Sequence, residues 1–250
     1  MIKPMWRPPR AEPGAKMPRR DRTLPENFKY YGHWGFAIYR TYYNPDSDKH
    51  WDMLLDTLKR QTYLALGSLD DEDLHREDIE ERNWDRWSYG DQDEYVEDIK
   101  RLKELFHLDT REDPSLLNGL DIRQLRELCL QEHSKAERTM AGHQFRYALV
   151  ADEAVLKDIA RGEFIIKAVA YSWKEGDDYW GWMRVPTGYL LELWHSLMLW
   201  RFKSQRVLYF TGPEDHLESY IWAGEDAAIP TSCCSEIRSK KPHYSAQRPQ

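Results

Sequence analysis

Three arginines stand inside stretches that otherwise read as half-buried strands: Arg40 in "FAIYRTYY", Arg146 in "FRYALV" and Arg184 in "GWMRVP". A guanidinium enclosed by protein needs an anion, because breaking such a pair leaves a buried charge at a cost of about 3 kcal/mol or more. In strict alternation Arg40 shares a face with Phe36 and Ile38, Arg146 with Ala148, Val150 and Asp152, and Arg184 with Trp182. Asp152 and Glu153 close a strand expected to be central, where side chains often line a cleft. The pattern defines a candidate ligand or ion-pair cluster of Arg40, Asp152, Glu153, Trp182 and Arg184 at one edge of the sheet. Asp152 is the carboxylate placed to answer Arg40 if their strands are neighbours. Such a cluster can hold strand order. It can also do chemistry, with Arg40 anchoring an anionic group, Asp152 or Glu153 moving protons and tryptophans walling the pocket. Asp152 has a simpler use as well, as the cap of the helix that follows.

Other chemistries find little support. Cys233 and Cys234 are adjacent rather than two apart, and His195 stands alone on an apolar helix, so no metal site is expected. Glycines are scattered singly, with neither a Walker loop nor GxGxxG after a strand, and no cofactor is implied. A GxSxG elbow is absent. Gly181 in "YWGWMRV" reads as a site of tight aromatic packing.

The elements that must position the cluster are legible in outline. A strand is expected from about His33 to Tyr43, stopped by Pro45, before a helix with Trp51, Leu54, Leu55 and Leu58 on one stripe. Tyr95, Ile99, Leu102 and Phe106 mark a second helix. Asp121 and Gln124 form a variant capping box for a third, whose buried face is Ile122, Leu125, Leu128 and Cys129. Then come a strand in "HQFRYALVAD", a short helix closed by Gly162, a strand in "EFIIKAVAYSW", a turn and short strand through Arg184, a helix in "TGYLLELWHSLMLWRF" and a last strand in "RVLYF". The fold class expected is α+β: a single domain whose mixed, mostly antiparallel sheet of four or five strands has helices packed on it.

Residues 1–27 are basic and proline-rich without helical or strand period, and read as a disordered basic tail. The domain is expected over 28–212, with an acidic insertion at about 68–94, and 213–250 reads as an irregular, mostly disordered tail. Net charge is −7, with 36 Lys and Arg against 43 Asp and Glu, which argues against a nucleic-acid partner. Eleven Trp, fifteen Tyr and seven Phe are too many for a disordered chain despite 32% charged residues. No window is apolar enough to span a bilayer, and three cysteines make no disulfide framework, so a cytoplasmic setting is expected.

The run "YRTYYNPDSDKHW" … "YALVADEAVL" … "GWMRV" resembles a group of uncharacterised proteins from filamentous ascomycete fungi. There a strand ending YRT precedes a Ser-Asp-x-x-Trp helix start, followed later by V-x-DE and Gly-Trp-Met-Arg. The matching residues are Tyr39, Arg40 and Thr41, then Ser47, Asp48 and Trp51, then Val150, Asp152 and Glu153, and Gly181 to Arg184. The resemblance spans roughly residues 33 to 200 and implies a fungal intracellular protein with no established activity. Two functions are therefore carried forward. The first is a binding or accessory protein that recognises a small molecule or a protein partner. The second is a small metal-independent enzyme, an isomerase, cyclase or hydrolase of specialised metabolism.

Overall fold

Alternation shapes the first strand, β1 (Trp34–Arg40): Trp34, Phe36 and Ile38 are buried, while Gly35 and Ala37 between them are half-buried. In the computed structural model the residues described are 31–66, 92–135, 147–177, 179–199, 208, 210, 212–222, 224 and 235–237. After β1 come α1 (Ser47–Ala65), α2 (Gln92–Leu105), β2 (Phe106–Arg111), α3 (Pro114–Leu117), α4 (Ile122–Lys135) and β3 (Tyr147–Ala151). The second half adds α5 (Glu153–Ala160), β4 (Ile165–Ala170), β5 (Trp182–Pro186), α6 (Leu190–Leu199), a 3-10 turn Glu214–Ser219, β6 (Tyr220–Trp222) and β7 (Ser235–Ile237).

The strands form one mixed sheet in the order β2-β1-β3-β4-β5-β6-β7. β1 runs parallel to β3 and β5 to β6, while β3–β4, β4–β5 and β6–β7 are antiparallel. The α+β class holds, but seven strands replace the four or five expected. The extra ones carry weak signals: β2 is "FHLDTR", and β6 and β7 have three residues each. β6, β7 and the 3-10 turn lie where an irregular tail was expected from residue 213, so part of that stretch belongs to the sheet. The strand expected in "RVLYF" is described only at Leu208 and Phe210, both buried and neither in a strand. The acidic insertion, but for 92–94, and the tail 1–27 lie outside the described residues.

Where one domain was expected, the chain divides into two compact units. The smaller takes Met1–Trp34, Leu66–His107 and Arg138–Gly142. Within it the Trp34 indole donates to the Leu102 carbonyl at 2.6 Å and its ring lies 4.7 Å from that of Phe106, the first residue of β2, and Ile99, Leu102 and Leu105 of α2 are buried. The larger takes Gly35–Ala65, Leu108–Glu137 and His143–Gln250, and holds most of the sheet.

Local signals place the helices of the larger unit. Asp121 and Gln124 exchange the two bonds of a capping box: Gln124 N–H to Asp121 Oδ1 at 2.8 Å and Asp121 N–H to Gln124 Oε1 at 3.0 Å. Asp152 caps α5, accepting from the Val155 N–H at 3.0 Å. α1 buries Trp51, Leu54 and Leu58 and packs against α5 and the turn before α6. Cys129 is a buried filler on α4, and burial pushes its thiol up to about 12. Among the described residues no helix is long and apolar enough to cross a membrane.

Register decides which side chains can meet. Ile38 pairs with Leu149, Leu149 with Ala168 and Ala168 with Met183, so Arg40 belongs to the face that carries these residues. Tyr39 pairs with Val150, Val150 with Lys167 and Lys167 with Arg184, defining the opposite face.

Candidate functional site

The face of Tyr39 and Val150 carries a buried charge network. Lys167 and Arg184 stand opposite each other on β4 and β5, each 3% exposed. Lys167 Nζ lies 2.6 Å from Asp152 Oδ2, pairs also with Glu218, and sits 5.1 Å from the centre of the Trp182 ring. Arg184 Nη2 pairs with Asp158, which is buried on α5 and also takes Arg161. Arg184 Nη1 donates to the Glu218 carbonyl at 2.8 Å, with the Glu218 carboxylate at 3.6 Å. Trp182 Nε1 donates to Glu214 at 3.2 Å. Asp152 thus works with both oxygens, one capping α5 and the other holding Lys167.

The electrostatics follow from this enclosure. Burial pulls the Lys167 pKa down, but Asp152 and Glu218 more than reverse that, and the net shift is upward. For Arg184 burial wins over Glu218 and Asp152 and the shift is downward, though a guanidinium remains charged at neutral pH. No group here is left as a neutral amine.

Of the five expected residues, Asp152, Trp182 and Arg184 come together and Arg40 and Glu153 do not. Arg40 does not meet Asp152. Its Nη2 donates to the Ser47 hydroxyl at 2.7 Å and pairs with Asp48, its Nε donates to the Tyr42 carbonyl at 3.1 Å, and its guanidinium lies 4.6 Å from the Tyr43 ring centre. The correction has a simple cause. β1 and β3 are neighbours, as the pairing required, but Arg40 is opposite Ala151, so its side chain leaves the sheet on the other face from Asp152. Glu153 is on the surface of α5, where it pairs with Lys157 at 2.8 Å, and this lysine's hydrogen bond lowers its pKa. Arg146 lies outside the described residues.

Sequence reasoning missed Lys167, Asp158, Glu218 and Arg126. Three had a readable signal. Lys167 interrupts "IIKAVA" just as Arg40 interrupts its own strand. Asp158 falls between Val155 and Ile159 on the buried stripe of α5. Arg126 falls at the helical spacing of Ile122, Leu125 and Cys129, inside an apolar face. Glu218 had none, since it depends on a short 3-10 turn.

Arg126 differs from the others. It is 5% exposed, yet no carboxylate among the described residues lies within ion-pair distance of it. Its Nε donates to the Ala170 carbonyl at 3.1 Å and its Nη2 to the Trp180 carbonyl at 2.7 Å, with the Trp173 ring centre 4.4 Å from the guanidinium carbon. Burial lowers its pKa to about 10, and Glu214 and Tyr179 oppose this only in part. Trp173 is held close because its neighbour is Gly181: a Cβ there would come within 2.6 Å of Trp173, and φ is +69. The glycine serves aromatic packing, as expected.

Among the described residues no group of three or more metal-ligating side chains comes together. No protein-family model matches this chain, and neither a curated protein nor a solved structure matches it significantly.

Proposed function

We propose that this chain is an intracellular binding or accessory protein, of the ascomycete group it resembles, that recognises a small molecule or a protein partner and performs no covalent chemistry itself. One observation carries this reading: the groups best suited to move a proton, Asp152, Lys167 and Glu218, are already committed to one another. The raised pKa of Lys167 keeps its amine protonated, which removes it as a nucleophile at neutral pH. A network of this kind orders strands and rigidifies the face on which a ligand would be held.

Glu218 favours the second reading, a metal-independent enzyme. Its side chain is 47% exposed while it touches a buried lysine, so it has access to solvent and to a cation at once. The two readings part in one experiment. The protein is incubated with a concentrated metabolite extract and passed through an ultrafilter, and both fractions are analysed by mass spectrometry. Binding predicts a compound retained unchanged at no more than about one per chain under saturation. Conversion of any compound in large molar excess over the protein would overturn it in favour of the enzyme.

A further inference from the structure

We propose that Arg126 anchors an anion site that takes the carboxylate of a small, flat organic monoanion. This names the ligand class of the binding reading above, and rests on it.

The argument begins with an imbalance. Arg40, Lys167 and Arg184 are all buried, and each meets a carboxylate of the chain. Arg126 is equally buried and meets carbonyl oxygens and a ring instead. Two carbonyls and one indole satisfy hydrogen bonds and offer partial charge, but they do not neutralise a cation. The guanidinium has five donors. Nε and one Nη2 bond are used, whereas Nη1 has no partner among the described residues and is not among the side-chain atoms sealed from solvent. A donor edge therefore remains on a cation whose position is already set.

The nearby acid does not fill this role. Glu214 bears on Arg126 electrostatically, but its Oε1 accepts from Trp182 and its Oε2 lies 4.0 Å from Arg123. Arg123 and Arg126 against Glu214 leave one net positive charge, which suits a monoanion better than a phosphate dianion. Geometry adds the shape. A guanidinium edge matches a planar carboxylate. The half-buried Trp173 stands at this guanidinium by its ring, so a flat conjugated body finds aromatic surface beside the anchor.

The test is titration of the full chain with benzoate, benzamide and inorganic phosphate, followed by tryptophan fluorescence and calorimetry. Benzoate is expected to bind saturably, with benzamide and phosphate each weaker by about tenfold or more. Arg126→Gln is expected to weaken benzoate by at least about tenfold, and Arg126→Lys by nearly as much because the fork is lost. Arg123 is 71% exposed, so Arg123→Gln leaves the fold intact. That variant is expected to weaken benzoate by about threefold and to flatten its dependence on salt. Absence of benzoate binding by the wild-type chain overturns the proposal, and so does an affinity that none of these variants changes. If benzamide binds as tightly as benzoate, the anchor fails while the binding reading survives. If Arg126 variants lose benzoate but the extract experiment shows turnover, the anchor survives and the non-catalytic reading fails.

Discussion

Lys167 and Arg184 face each other directly across the β4–β5 ladder, two buried cations in one cross-strand pair. Like charges so placed repel and weaken a sheet. Here the repulsion is offset from three directions: Asp152 at the end of β3, Asp158 on α5 and Glu218 on the turn before β6. Five elements, β3, β4, β5, α5 and the 3-10 turn, are thereby tied at one place. The central strands are held by charge as well as by apolar packing.

Breaking one half of this network is expected to cost more than replacing a whole pair. Asp158→Leu alone leaves Arg184 without its buried partner and should lower stability by about 3 kcal/mol or more, whereas Asp158→Leu with Arg184→Met should recover most of that loss. Urea unfolding of the two single variants and the double variant measures the coupling. Additive losses would show that the two side chains do not act as a pair.

Arg40 and Asp48 form an unequal pair, with the arginine 5% exposed and the carboxylate 76% exposed. Solvent screens such a partner, so Asp48→Asn is expected to change stability by no more than about 1 kcal/mol. Arg40→Met also removes the bonds to Ser47 and the Tyr42 carbonyl, each contributing about 1 kcal/mol, and should lower stability by about 2 kcal/mol. Equal losses in the two variants would mean that the ion pair, and not the buried hydrogen bonding, dominates.

Gly181→Ala tests the aromatic seat of Arg126 from the other side. The residue has φ +69 and the new Cβ would lie 2.6 Å from Trp173. Left-handed strain alone is worth about 1 to 3 kcal/mol, and the clash adds to it. A lowered unfolding midpoint is expected, together with an altered near-ultraviolet circular dichroism spectrum as the indole shifts. A variant that matches the parent in both would show that Trp173 is loosely held.

Alkaline pH should destabilise the fold. Burial pushes the Cys129 thiol up to about 12 from 9.0, and raises the Tyr39 phenol, helped by Cys129 and by its bond to Glu132. For Lys167, burial opposes the carboxylates and loses, so its pKa also rises. All three bind a proton more tightly folded than unfolded. Their contribution is complete below the unfolded values and is lost as pH climbs toward the folded ones. Unfolding midpoints are expected to fall from about pH 9 upward, and Cys129→Ala to make that fall shallower. A flat profile to about pH 11 in the parent chain would contradict the tight enclosure of these groups.

Periodicity and capping by themselves determined the α+β class, β1, α1, α4 and its capping box, the cap at Asp152, and the packing role of Gly181, because each rests on contacts within a few residues. They also grouped Arg184, Trp182 and Asp152 in one candidate cluster, but with Arg40 and Glu153, which lie elsewhere. Which carboxylate answers which cation was a matter for the tertiary structure alone. Alternation assigns a residue to one of two sides within its own strand, but only the register between strands says which sides coincide, and a one-residue offset sends Arg40 to Asp48 and Asp152 to Lys167. The short strands β6 and β7 and the placement of Glu218 follow the same logic, since three residues of backbone gain a strand's hydrogen bonds only when a neighbouring edge is already there.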